Sequence, residues 1–345
     1  MKTGKISESI LKRSVLKKCT AKNPQVLQGA GTGNDCAVLD VREKGCVSCA
    51  VHPEIVEDKS MIRYAVEHAL NNLACSASAP AAVLVTVLLP EGAEEGLLKT
   101  IMEEADAACR EHGVQLAGGH TQVTGDVLKP LVAVSAVGIC AATGNRIVSE
   151  TRGRQPEYAG CEIVMTGYTG LEGTALLANM RREELCTRFP VDFVEQSRKF
   201  AKSISILKAA ELAWESGAEL LHDAAQGGIF GALWELCEKA RCGMEADLRR
   251  LPIRQETIEI CEYFGLNPYC LRSAGALLIV TKNGEEAAGK LRAEGINACV
   301  IGRLTDSNDR ILINGEEKRY LERPAQDEYY RWKDMEHGKD KCCIV

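Results

Sequence analysis

The chain has 345 residues, enough for about two domains, and its 46% apolar content supplies each with a sizeable core. Forty-two basic against 48 acidic residues leave a net charge of −6, so no global positive field gathers a nucleic-acid backbone, and no apolar run reaches the roughly 18 residues of a membrane span. Aromatic residues at 5% beside 31 glycines suit Ala/Gly-rich α/β layers better than an aromatic-cored β-sandwich. Most of the 16 cysteines, such as Cys140 and Cys161, sit singly in apolar runs and read as small core hydrophobes. Cys46 and Cys49 have C-x-x-C spacing, but no second Cys/His pair completes a zinc set. The basic, amphipathic opening segment lacks a cleavage-type site, so the expected compartment is the cytoplasm, with reduced thiols.

Ile6, Ile10, Leu11, Val15 and Leu16 predict a short helix within 1–20, stopped before Asn23-Pro24. Strands follow at 37–41 and 46–51. Met61, Ala65, Ala69 and Leu73 step by four and mark a helix over 58–77, ended by Pro80. The β-branched run 81–90 is a buried strand, and a helix over 93–112 leads to strands at 114–121 and 130–141. A polar stretch with Gly and Pro near 150 marks a domain boundary. Beyond it come a strand at 161–167, a Gly-rich turn and a helix from near Glu172. Helices at 192–216, 227–241 and 254–264, a strand at 276–281, a helix at 285–294 and a strand at 298–302 make an α/β domain. A hairpin and an amphipathic segment occupy 311–333, and a mobile tail follows.

Four polar and glycine-rich clusters carry the chemistry. Gly29 to Asp35 is a glycine-rich loop that leads into a strand, unlike a dinucleotide fingerprint; its N–H groups can face an anion, and Asp35 can ligate Mg²⁺ or simply cap a turn. At Gly118-Gly119-His120-Thr121 a strand ends in two glycines that permit close backbone approach, with His120 either a ligand contact or a hydrogen-bonded core residue. From Met165 to Thr174 a strand, a glycine turn and a helix start form a phosphate-type site without the Lys-Ser/Thr of a P-loop. Asp223, before Gly227-Gly228, either caps the following helix or meets a ligand or metal.

The order and spacing of GTGNDCAVL, YAVEHALNNLACSASAP, LVTVLLPEG, QLAGGHTQVT, MTGYTGLEGTALLA, LHDAAQGGIFGALWEL and LPI…ICEYFGLNP resemble the AIR synthase (PurM)/HypE superfamily, in its HypE-like branch, over about 5–333. The resemblance implies an α/β (α+β), PurM-like two-domain fold. Its N-terminal domain (1–153) pairs with a twofold mate to form a dimeric β-barrel, an α/β C-terminal domain (154–333) packs beside it, and 334–345 is the tail. It also implies a homodimer that binds ATP with Mg²⁺ and phosphorylates a carbonyl or amide-type oxygen; in HypE that chemistry dehydrates a C-terminal thiocarboxamide to a thiocyanate. Carried over residue by residue, it makes His120 and Asp223 catalytic. Gly31, Gly33, Asn71, Gly118, Gly119 and Thr121, with Gly167, Gly170, Gly173, Gly227 and Gly228, then line the nucleotide pocket, and Asp35, His52 and Asn72 occupy the metal positions.

The departures cluster at the metal. Val51-His52-Pro53 stands where the family has Thr-Asp-Pro, and Asn72 replaces the second acid of its His-x-x-x-Asn-Asp, with His68 one position off. An imidazole suits Mg²⁺ poorly. Ala77 replaces the Gly of a Gly-Ala-x-Pro turn, and Ala274-Gly275 replaces a HypE-type Glu-Gly, removing a proton-handling carboxylate. The chain ends Lys341-Cys342-Cys343-Ile344-Val345, without the Pro-Arg-x-Cys terminus of HypE, so a thiol-carrier role is not carried over. Two functions are therefore expected: HypE-like ATP-dependent phosphoryl transfer, or a non-catalytic nucleotide- or anion-binding dimer with a degenerate metal site. The acceptor is a small molecule or a protein tail, with no nucleic-acid or membrane partner.

Overall fold

The structure, a computed structural model, describes residues 8–10, 12, 26–28, 31–34, 37–40, 46–140, 158–323 and 325–342. The chain divides into two compact units, residues 22–30 with 34–150, and residues 1–21, 31–33 and 151–345. The boundary expected at 153/154 lies outside the described residues. No described helix is long and apolar enough to cross a membrane.

The N-terminal unit is a six-stranded sheet in the order β1-β2-β3-β6-β4-β5, built from β1 (Val26–Gln28), β2 (Ala37–Asp40), β3 (Cys46–Ile55), β4 (Ala79–Pro90), β5 (Gln115–Thr124) and β6 (Leu131–Cys140). Only the β4/β5 pair is parallel, and a helix crosses between those two strands. The first helix of this unit, α2 (Ser60–Ala74), follows α1 (Glu8–Ile10) in the chain. It buries Met61, Ala65, Ala69 and Leu73 at the spacing the sequence predicts, and α3 (Glu95–Glu111) buries Ile101, Ala105 and Ala108 beside it.

Alternation splits the strands into two faces. Cys46, Ser48 and Ala50 of β3 are buried, as are Val132, Val134 and Ala136 of β6, whereas Val51, at 62% exposure, and Ile139, at 56%, lie on the other face with Ile55 and Leu84. Among the described residues the sheet is open, with β1 and β5 at its edges, so the closed barrel expected from the resemblance is not formed by this chain alone. Ala77, in the turn before β4, has φ +53°, the left-handed conformation that glycine adopts without a Cβ penalty.

The C-terminal unit is a seven-stranded mixed sheet in the order β13-β12-β9-β11-β7-β10-β8: β7 (Glu162–Thr166), β8 (Leu220–Ala224), β9 (Gly243–Asp247), β10 (Ala276–Thr281), β11 (Ala298–Thr305), β12 (Arg310–Asn314) and β13 (Glu317–Tyr320). Its helices are α4 (Leu171–Met180), α5 (Arg182–Arg188), α6 (Val191–Lys199), α7 (Leu207–Glu215), α8 (Gly228–Ala240), α9 (Gln255–Phe264), α10 (Gly284–Ala293) and α11 (Glu328–Cys342). Strands β8 and β10 are buried along their whole length; the near-continuous apolar run of β10 suits this, whereas β8 carries His222 and Asp223 into the interior.

The helix expected over 192–216 is two, α6 and α7. Ser203-Ile204-Ser205-Ile206 between them alternates with period two and turns both isoleucines inward, which a continuous helix would not do. Strands β8 and β9 are additions to the sequence reading. Helical backbone runs through much of the segment expected as a tail, to Cys342. Of the helix expected in 1–20, Glu8–Ile10 is helical, and most of the rest lies outside the described residues.

Candidate functional site

The site of the C-terminal unit is built at one end of the three neighbouring strands β7, β10 and β8, the last of which is an edge strand of the sheet. Strand β10 runs antiparallel to both β7 and β8, and Leu277 is in register with Thr166 on one side and Asp223 on the other. The turns after β7 and β8 therefore open at the same end, and the segment 268–275 that enters β10 threads between them.

Close approach sets the glycines. A Cβ on Gly167 (φ +71°) would strike the Gly275 carbonyl, one on Gly173 the Leu271 side chain, and one on Gly228 (φ +65°) the Tyr269 carbonyl. The Gly170 N–H donates to Ser273 Oγ at 2.8 Å, and the Gly173 N–H to the Arg272 carbonyl at 3.0 Å. These donors at the start of α4, expected to face a phosphate, are engaged by the chain itself. Gly33 (φ +78°) packs its backbone against Glu235 of α8, and Gly31 stands two residues earlier in the same unit. Asp35 lies outside the described residues.

Asp223 is 5% exposed at the end of β8, and the neighbouring His222 Nε2 is 3.2 Å from Glu235 Oε2. After it, Gly227 is the left-handed N-cap of α8, and its N–H donates to Asp327 Oδ2 at 2.6 Å. Sequence reasoning missed Asp327, and with it the pair formed by Glu172 and Arg272. Both side chains of that pair are wholly buried, with Arg272 Nη2 2.7 Å from Glu172 Oε1, and the Ala274 N–H donates to Glu172 Oε2 at 3.3 Å. A glutamate in the first turn of α4 is a helix-start signal. A fully buried arginine has no sequence signature.

In the N-terminal unit the predicted residues separate. His120 and Thr121 are neighbours on β5, but alternation sends them to opposite faces: His120 is level with Thr86 on the uncovered face, 3.4 Å from Gln122, and Thr121 is level with buried Val87. Gly118 shares the His120 face. Gly119 has φ +151° and approaches the Val85 carbonyl too closely for a Cβ. His52 projects from the covered face of β3, where its ring stacks on His68 of α2 with centroids 4.3 Å apart and its Nε2 lies 3.4 Å from Glu54 Oε2. Asn71 is wholly buried on α2, with half-buried Asn72 beside it.

Mg²⁺ requires hard oxygen donors in near-octahedral array. Among the described residues no three of His, Cys, Asp and Glu converge on a metal site. The two described candidates, His52 and Asn72, are a stacked imidazole and an amide rather than the carboxylates Mg²⁺ favours, and Asp35 lies outside the described residues.

A mixed sheet with two glycine turns and a buried aspartate at one end of its strands, following an open sheet with an uncovered apolar face, defines a class of two-domain α/β proteins. This chain belongs to the AIR synthase related protein family, whose N-terminal domain matches residues 33–140 and whose C-terminal domain matches 158–313. Carbamoyl dehydratase HypE of Rhodobacter capsulatus is 29% identical over 249 residues, covering 70% of this chain and 68% of that protein. A putative hydrogenase expression/formation protein of Methanocaldococcus jannaschii is 24% identical over 320 residues, covering 90% and 91%. Among solved structures, a chain of the HypE–HypF complex has TM-score 0.73 at 20% identity, over 91% of this chain and 99% of that one. HypE in complex with ATP has TM-score 0.68 at 21% identity, over 95% and 97%.

Proposed function

We propose that this protein is a HypE-like, ATP-dependent dehydratase working as a homodimer. The observation that carries the reading is Asp223 at the strand end shared by the turns after β7 and β8, in a chain that matches a putative hydrogenase expression/formation protein over 90% of its length. The relatives named for carbamoyl dehydration and the HypE solved with ATP support the same substrate class.

In this reaction the oxygen of a carbamoyl or thiocarboxamide-type acceptor attacks the γ-phosphorus of ATP, and ADP leaves with the bonding electron pair. Two N–H protons are then lost as phosphate departs with the former carbamoyl oxygen, leaving a nitrile. The balance is acceptor plus ATP to nitrile, ADP and phosphate. Asp223, buried at the strand end, is the residue we assign to accept one proton, and the departing phosphate carries the other. Because neither described metal candidate is a carboxylate, no step is assigned to a metal.

The homodimer is supported by the uncovered apolar face bearing Val51, Leu84 and Ile139, which a second copy would bury to complete a barrel. A second reading, nucleotide binding without turnover, is favoured by one observation, the stacked His52 and His68 where the family carries a metal acid. Incubation with ATP and a peptide ending in a thiocarboxamide separates the two. With that terminal group an S-carbamoyl cysteine (–S–CO–NH2), the dehydratase yields ADP, phosphate and a thiocyanate peptide lighter by one water; bound ATP with no acceptor-dependent ADP leaves the regulator.

A further inference from the structure

The first turn of α11 lies beyond the family's C-terminal match, which ends at 313, yet it is built into the turn after Asp223. Asp327, 4% exposed, uses both carboxylate oxygens: Oδ2 accepts the Gly227 N–H at 2.6 Å and Oδ1 accepts the Tyr329 N–H at 2.8 Å. One side chain thus caps two helices, α8 and α11. Next to it the Gln226 amide donates to the Tyr330 hydroxyl at 3.4 Å. Arg272, the cation facing Asp327, lies 5.7 Å from the Tyr329 ring and pairs with Glu172 at the start of α4. The turn after β8 is thus hydrogen-bonded to one carboxylate at the N-cap of α11, and the Arg272 that faces it pairs with the start of α4.

We propose that Asp327 is a positioning residue: by holding the Gly227 N–H it fixes the turn that follows Asp223, so that α11 braces the site from outside it. This rests on the reading of Asp223 as part of an ATP-using site. It differs from a plain helix cap in what its loss does to the ligand. The N–H of an N-cap residue has no intrahelical partner, so without Asp327 the Gly227–Gly228 turn keeps its sequence but loses its anchor.

The test compares D327N with W332F in the full-length protein. Asparagine offers one carbonyl oxygen where two acceptors are needed, so its amide must face one of the two N–H donors. Trp332, a buried α11 residue packed on Phe264 and on the Tyr329 ring, loosens the helix while leaving the Asp327 carboxylate and the Gly227 N–H in place. Hydrogen exchange at the Gly227 amide and ATP affinity are measured for each. An unsatisfied buried donor predicts about tenfold or greater faster exchange and weaker ATP binding in D327N, with both values in W332F within about twofold of the parent even though its thermal midpoint falls. Unchanged exchange in D327N, or equal effects in W332F, overturns the proposal. If D327N does not fold, the parent suffices: strong protection of the Gly227 amide supports the brace, and rapid exchange sinks it. A parent that protects Gly227 but does not bind ATP refutes the nucleotide reading and leaves the anchoring intact.

Discussion

Arg272 and Glu172 form an ion pair at 2.7 Å with both side chains fully removed from solvent. Such a pair contributes modest net stability when intact, but removing one partner leaves the other as an uncompensated buried charge. Glu172→Gln is predicted to cost about 3–5 kcal/mol, measured by urea unfolding. A loss below about 1 kcal/mol would show that solvent or another group compensates Arg272.

The same pair bears on the acid that the family carries at position 274. Ala274 is 1% exposed and its N–H already meets Glu172, so an added carboxylate would enter a closed space beside a like charge. Ala274→Glu is therefore predicted to destabilise by more than about 3 kcal/mol and to leave ATP turnover no higher. A stable variant with a gain in turnover would contradict this.

At Ala77 the family's glycine is the better residue. Its φ of +53° places a Cβ against its own backbone. Ala77→Gly is predicted to raise stability by about 1 kcal/mol by relieving that contact, net of the added unfolded-state entropy. Denaturant midpoints of the two proteins decide it, and a fall in the midpoint would contradict the strained turn.

His112 supplies a pH signature. Its hydrogen bond to Glu67 at 3.0 Å raises its pKa above the usual 6.5 against the opposing effect of burial, with further attraction from Glu67 and repulsion from Arg63. The folded state thus binds the proton more tightly than the unfolded state. The resulting stabilisation is fully present below pH 6.5 and is lost as pH rises through the raised value. His112→Gln is predicted to flatten stability against pH over that window; an unchanged slope would assign it to other groups.

Much of this architecture is legible in the sequence because the signals are local. The four-residue step of Met61, Ala65, Ala69 and Leu73 writes out α2, and the β-branched run writes out β4. What fails is long range. His120 and Thr121 look like one cluster until pairing with β4 fixes which face each takes. Asp327 meets Gly227 across 100 residues, and Arg272 meets Glu172 across a comparable span, so neither contact leaves a local pattern. The five-residue strands β8 (LLHDA) and β9 (GMEAD) carry polar residues and are too short to show a period of two, so neither leaves a strand signal.

The uncovered sheet face gives a direct test of association. Val51→Lys or Ile139→Lys places a charge in the patch that a second copy is proposed to bury, without entering the covered core. Sedimentation velocity is expected to show dimer for the parent and monomer for either variant. A parent that sediments as a monomer would contradict the dimer.

The central claim, an ATP-binding site, is tested most directly by the thermal midpoint of the full-length protein with ATP, ADP and AMP, each with and without Mg²⁺. Ligand at about 100 times its Kd adds roughly 2.7 kcal/mol of stability. A clear rise of the midpoint with ATP is the predicted result. The same midpoint with and without each nucleotide at millimolar concentration would contradict it.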